Sequence, residues 1–314
     1  MSESFKTPRP GAGYGKIMEG EHLLLLDRPQ PALGGAATAT RPRRPLTRVR
    51  DARERRDGSR SERFEPARSP FVVVEIPIVP ALTRYVESVW VLEGRADAAR
   101  PAPVLDVLPS TTGTLCVTYG ARVEHAGGVA PSTVSGLFMS TRSYVPSPAI
   151  GVVMVRLRPG ALQRIVRAAA DEIAETNVAA ADVWGSALSG LEEQVATAKD
   201  AKARGALVQR FLMERLSVPS RGTSWDAVAV RIAETIAAAG GQVSIRSMAD
   251  DAGLSERQLE RRFSAAVGMQ PKRFARLARF ARALSLALTG IGWAEVAALA
   301  GFSDQSHLTR EFIA

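Results

Sequence analysis

An alanine, a glycine four residues later, an apolar residue and then a serine occur in that order twice in the last ninety residues. The first copy is Ala249, Gly253, Leu254 and Ser255, followed by Leu259 and Phe263; the second is Ala297, Gly301, Phe302 and Ser303, followed by Leu308 and Phe312. The spacing has a physical meaning. Ala249 and Ala297 stand where two helices cross too closely for a larger side chain. Gly253 and Gly301 supply the positive φ that ends one helix in a sharp turn. Ser255 and Ser303 are expected to cap the helix that follows. Leu259 with Phe263, and Leu308 with Phe312, are the inward stripe of that helix. Each copy is therefore expected to be a helix, a glycine turn and a second helix set across the first, the unit that enters a DNA major groove. The copies differ by one residue between serine and leucine, which marks a diverged repeat.

The stretches SMADDAGLSERQLERRFSAAVGMQPKRFARLARFARAL and WAEVAALAGFSDQSHLTREF make residues 225–314 resemble the DNA-binding domain of the AraC/XylS family of transcription regulators. The resemblance implies two helix-turn-helix subdomains joined by one long helix, with double-stranded DNA as the partner. VLPSTTGTLCVTYG, with GVVMVRLRPGAL further on, resembles the β-rich N-terminal domain of one subgroup of AraC-like proteins and implies no particular ligand. After Phe312 only Ile313 and Ala314 remain, where the family continues with a loop and a short terminal helix. The second subdomain is accordingly expected to lack its closing element, which leaves the first as the safer reader of DNA.

The fold class expected is α+β, with a small β-rich N-terminal domain, a helical connector and an all-α C-terminal domain. Residues 1–70 read as an Arg/Pro-rich tail: positions 41–68 carry eleven arginines against five acids and almost no apolar periodicity, so they cannot bury a core. A start placed too far upstream would explain that stretch equally well. Residues 71–170 alternate short β-branched runs with turn signals and read as the β-rich regulatory domain. Residues 171–224 read as helical connector and linker, with Leu188, Leu191 and Val195 and then Leu207, Phe211 and Leu216 at helical spacing. That stripe suits packing on the β-domain or pairing of two chains.

Net charge alone is a poor witness to DNA binding. The chain carries +9, but residues 225–314 hold eleven basic and nine acidic residues. The local density matters more, because residues 257–282 hold eight basic residues against Glu260 alone. After Pro271 the residues Phe274, Leu277, Phe280, Ala281, Leu284 and Leu288 share one helical face. Lys272, Arg276, Arg279 and Arg282 fall on the other face. With Arg262 they are the expected phosphate contacts, and solvated charge paired with Glu260, Glu295 or Asp304 is the alternative.

Base contacts are expected from the outward faces of the two second helices. In the first copy Arg257, Gln258 and Arg261 point outward; arginine can hold guanine and glutamine adenine through two hydrogen bonds. In the second copy Gln305, Ser306, Thr309 and Arg310 point outward, with His307 beside them. Carried over by the family motif, the positions are Arg257, Glu260 and Arg261, then Gln305, Ser306, His307, Thr309 and Arg310. Glu260 fits acceptance from cytosine or a pair with a neighbouring arginine. Each of these residues could also touch only phosphate or solvent.

Other chemistry finds little support. The three histidines, His22, His125 and His307, are far apart in sequence, and no metalloprotease, nucleophile-elbow, phosphate-loop or dinucleotide motif is present. Cys116 is the single cysteine, which excludes an internal disulfide or a cysteine-cluster metal site. No enzyme activity, cofactor or metal is expected, and a cytoplasmic location without membrane association fits the absence of a long apolar run. The reading is a sequence-specific DNA-binding transcription regulator. The competing reading is an interaction module whose DNA-binding part has lost specific binding and whose β-rich domain holds a protein partner. A homodimer and a small-molecule effector are further partners that the architecture admits.

Overall fold

The computed structural model describes residues 15–20, 23–28, 71–95, 104–119, 123–125, 128–130, 132–146, 149–217 and 226–313. Its strands form two antiparallel six-stranded sheets. Those strands are β1 (Gly15–Gly20), β2 (Leu23–Arg28), β3 (Phe71–Glu75), β4 (Val86–Arg95), β5 (Val104–Val107), β6 (Gly113–Thr118), β7 (Val123–His125), β8 (Gly128–Ala130), β9 (Thr133–Ser135), β10 (Arg142–Pro146), β11 (Ala149–Leu157) and β12 (Asn177–Ala179). One sheet has the order β1-β2-β5-β10-β7-β8 and the other β12-β9-β6-β11-β4-β3.

β11 is buried from Ile150 to Leu157 because both its faces are covered. Ile150, Val152 and Met154 pack with Phe71, Leu92 and Leu105 between the sheets. Val153, Val155 and Leu157, one residue out of phase, face the opposite core with Leu115 and the helices. Arg156, on the first of these faces, is only 2% exposed. It is paid for by hydrogen bonds to Thr112 Oγ1 and Ser110 Oγ and by an ion pair of 3.3 Å with Glu87.

Two expectations about domain limits need correction. Strands β1 and β2 lie inside the stretch read as a tail, and β2 pairs with β5 from Leu25↔Val107 to Arg28↔Val104. The leucine run at 23–26 is too short to form a membrane element, yet it suffices for a strand once a partner edge exists. The arginine-dense stretch 41–68 lies outside the described residues. The β-domain also runs past residue 170, since β12 pairs with β9 through Asn177↔Ser135, Val178↔Val134 and Ala179↔Thr133. β7, β8 and β12 have three residues each, too few to show a period-2 pattern.

The connector packs on this domain. Preceded by α1 (Ala161–Val166), its helices are α2 (Ala180–Trp184), α3 (Ser186–Thr197) and α4 (Ala201–Ser217). Leu188, Leu191, Val195, Val208, Phe211 and Leu212 are buried in one cluster with the sheet residues Val89, Leu115 and Val155. Gln209 ties α4 to the loop after β3, accepting from Val79 N at 2.8 Å and donating to Pro77 O at 3.0 Å. Packing on the β-domain accounts for the buried part of the apolar stripe.

Six helices follow: α5 (Ala227–Ala238), α6 (Ile245–Asp251), α7 (Glu256–Val267), α8 (Pro271–Leu288), α9 (Trp293–Leu299) and α10 (Gln305–Ile313). Phe274 and Leu277 of α8 enter a core with α5, α6 and α7, whereas Phe280 and Ala283 enter a second core with α9 and α10. The first core also takes in Leu137 from the β-domain. There Gly268, at φ +99°, comes close enough to Ala170 that an added Cβ would stand 3.0 Å from its carbonyl oxygen. Glu175 spans the seam, pairing with Arg273 at 3.1 Å and accepting from Met139 N at 3.2 Å. The fold is α+β, with its helical C-terminal part seated on the β-domain through the first subdomain.

Candidate nucleic-acid interface

In the first copy the local chemistry expected from sequence is in place. Ser244 caps α6 by accepting from Ser247 N. Ala249 is fully buried at the helix crossing, and Gly253 has φ +65°. The turn is locked by Leu254 N donating to Ala249 O at 2.9 Å. Ser255 then caps α7 in a reciprocal box: Gln258 N donates to Ser255 Oγ, and Ser255 N donates to Gln258 Oε1 at 2.9 Å. Leu259 and Phe263 are fully buried, and Phe263 meets Phe274 edge-on at 5.5 Å.

The second copy repeats the turn and shifts the cap. Ala297 is buried, Gly301 has φ +78°, and Phe302 N donates to Ala297 O at 2.9 Å, as Leu254 does to Ala249. The capping residue, however, is Asp304 and not Ser303: His307 N donates to Asp304 Oδ1 at 2.7 Å, and Leu308 N to Asp304 O at 3.1 Å. The His307 N–H foremost, with the Ser303 hydroxyl, the Ser306 N–H and the charge of Arg310, holds the Asp304 carboxyl below its ordinary value. Aligned on their caps, the copies no longer differ in length, because Leu259 and Leu308 each follow the cap by four residues. The extra residue lies before the helix. Arg257 then matches Ser306, and Arg261 matches Arg310.

Of the nine side chains expected on bases, Arg257, Gln258, Arg261, Gln305, Ser306 and Arg310 are exposed on α7 and α10, although Gln258 spends its carbonyl on the capping box. Glu260 and Thr309 are half-buried, and Thr309 Oγ1 donates to Gln305 O at 2.8 Å. His307 lies 3.1 Å from Ser303 Oγ through Nδ1, its ring edge-on to Phe302 at 5.4 Å.

Of the residues expected on phosphates, Lys272 and Arg276 line a cleft of about 440 Å³ with Arg246, Ser244 and Glu256, and Lys272 Nζ lies 4.0 Å from the Glu256 carboxylate. Arg246, in the first turn of α6, was missed because the repeat begins after it; a basic residue beside a capping serine is the signal that could have found it. Arg279 reaches the same cleft, but its Nη2 donates to Gly241 O at 3.3 Å and its guanidinium lies over Phe302. Arg282 Nε donates to Leu299 O at 3.1 Å. Arg262 is engaged by both oxygens of Asp226, at 2.6 and 2.8 Å. Asp226 in turn caps α5 through Val228 N and Ala229 N. Burial opposes ionisation of Asp226, but the Arg262 and backbone hydrogen bonds outweigh it and hold the carboxyl below its ordinary value. Arg262, Arg279 and Arg282 thus have partners within the protein that sequence spacing did not reveal.

Residues 248–314, from α6 through α10, match the family described as a helix-turn-helix domain. The C-terminal part of the chain is an AraC-type helix-turn-helix domain. Residues 75–179, from β3 to β12, match a domain of unknown function, DUF6597. Among solved structures, ToxT from Vibrio cholerae O395 is similar at a TM-score of 0.39 and 11% identity, over 73% of this chain and 93% of that one. Unsaturated fatty acid-bound wild-type ToxT from V. cholerae strain SCE256 is similar at 0.36 and 10%, over 77% and 90%. No curated protein matches the chain.

Among the described residues, no group of three His, Cys, Asp or Glu is placed to hold a metal ion, and no helix is long and apolar enough to cross a membrane. Burial pushes the Cys116 thiol up to about 12, which favours its protonated form at neutral pH.

Proposed function

We propose that the chain is a sequence-specific transcription regulator that inserts α7 and α10 into neighbouring turns of the DNA major groove. The observation that carries this reading is the cap-aligned repeat, which gives both second helices an exposed face at matching positions, Arg257 and Arg261 against Ser306 and Arg310. Arg257 and Arg261 suit two-point hydrogen bonding to guanine. The cleft with Arg246, Lys272 and Arg276 suits a phosphate beside the first recognition helix.

Selection from random double-stranded DNA, followed by a salt series, tests the reading. A preferred site should emerge, with affinity falling steeply as salt rises. Arg257→Ala and Arg261→Ala should each lose about 1–3 kcal/mol on that site and relax its preference. Equal losses on random DNA would make both arginines phosphate anchors, and the absence of any enriched site would leave the interaction-module reading standing.

Regulation enters, on this proposal, through residues 71–217. Their basic and acidic residues nearly cancel, so they offer no net attraction to phosphate, and they touch the first subdomain through Leu137, Ala170 and Glu175. Pairing of two chains through this region would lengthen the recognised site. Sedimentation of the full chain settles it: a strictly monomeric protein at high micromolar concentration is incompatible with pairing.

A further inference from the structure

We infer that the turn Gly240-Gly241-Gln242, with Arg279 and Arg282, is a clasp that fixes the separation of the two recognition helices and so selects the spacing of half-sites on DNA. The inference rests on the DNA reading proposed above. The turn connects α5 to α6 and belongs to the first subdomain, yet it reaches the second. Gln242 Nε2 donates to the Leu299 carbonyl at 3.3 Å, and Arg282 Nε donates to the same oxygen at 3.1 Å. Leu299 ends α9, where carbonyls lack partners within the helix and the helix dipole favours positive charge. The Gln242 carboxamide lies against Gly301, the turn glycine of the second copy; a Cβ at Gly301 would stand 2.5 Å from Gln242 Cδ. Arg279 completes the grip, with Nη2 on the Gly241 carbonyl at 3.3 Å and its guanidinium 5.7 Å from the centre of the Phe302 ring.

The two glycines explain how the turn can sit so deep. Both have positive φ; a Cβ on Gly241 would collide with the Ala275 carbonyl, and one on Gly240 with Arg282 Cδ. The turn is thereby wedged against α8 while its next residue holds α9. The connecting helix gives the second core Phe280 and Ala283, with Leu284 and Leu286 half-buried against it and Leu288 exposed, and the turn adds a second hold from the first subdomain. A shift of one base pair between half-sites moves the second groove by about 3.4 Å and turns it by about 35°. A clasped pair of subdomains cannot follow that shift, whereas an unclasped pair can.

The test uses the full chain and the variants Gln242→Ala and Gln242→Ala/Arg282→Ala, whose substituted side chains are exposed. Spin labels at Asp250→Cys and Ala298→Cys report the distance between subdomains without DNA. The wild type should give one narrow distribution and the double variant a broad one; equal widths would overturn the clasp. Binding is then measured on the site selected by the wild type, on the same site lengthened or shortened by one base pair, and on the first half-site alone. The double variant should lose roughly tenfold on the native spacing, tolerate the altered spacings nearly as well, and bind the half-site unchanged. Loss of equal size on the half-site would make Gln242 and Arg282 ordinary DNA contacts and overturn the inference. If the wild type enriches no site, the DNA reading fails, while the distance distributions still decide whether the clasp exists.

Discussion

The first helix-turn-helix copy is braced on several sides, whereas the second hangs on one helix and one turn. Around α7 the core draws on α5, α6, α8 and Leu137 of the β-domain, with Gly268 lying against Ala170. Around α10 the core is smaller and comes from α8 and α9. The turns themselves are alike, down to the hydrogen bonds Leu254–Ala249 and Phe302–Ala297. What differs is the support, and the lesson is that a like turn is braced to a different degree by its surroundings. Among the described residues, the β-domain meets the first copy at Leu137, Ala170 and Glu175, while α8 and the Gln242 turn join the first copy to the second.

Core truncations break this comparison most forcefully. Phe263→Ala should cost about 3–5 kcal/mol and lower the unfolding midpoint of the whole chain in denaturant, since its core spans both domains. Phe302→Ala should unfold chiefly the second copy, seen in hydrogen exchange as lost protection in α9 and α10 with α7 still protected. Equal loss of protection in both copies would mean that they fold as one unit.

The caps sharpen it next. Ser255→Ala should cost about 1 kcal/mol, because it removes one half of a reciprocal box. In the second copy Asp304→Ala should lower the thermal midpoint and Ser303→Ala should leave it nearly unchanged; the opposite order would restore Ser303 as the cap. Asp226 and Asp304 both have depressed carboxyls, so their contribution is full above the unfolded-state value, near 4, and is lost as pH falls through the lower folded-state value. Asp304→Asn should therefore flatten the acid limb of stability for α10, measured by hydrogen exchange across that pH range.

The smallest effect is expected at the seam. The Glu175–Arg273 pair is largely exposed, so Glu175→Gln should change stability by less than about 1 kcal/mol and the change should fade with salt. A large effect that persists in high salt would show the seam to be a main support of the first copy, beyond the apolar contact at Leu137.

How much could be read in advance follows from the range of the interactions involved. The turn glycines, the small alanines, the Ser255 cap and the face of α8 from Phe274 to Leu284 are decided within a few residues, and each was legible; Leu288, expected on that face, is exposed. Asp304 is also a local cap, yet aligning the copies on serine hid it; the alignment that matters is set by the leucine stripe. Charged side chains were the weak point. Their residue types are suited to phosphate, but Arg262 meets Asp226 from 36 positions away and Arg279 meets Gly241 from 38.

By itself, then, the sequence determined two helix-turn-helix units, the long basic helix between them and a β-rich region ahead. Each of these depends on spacing along the chain and on backbone conformations a single residue imposes. Tertiary structure alone decided that β2 joins β5, that β12 extends the β-domain, that the connector packs on the sheet, and that Gln242, Arg279 and Arg282 hold the second copy to the first. The physical reason is that strand edges and long polar side chains accept many partners of similar energy. Which partner they take is settled by what the folded chain brings within about 3 Å of them.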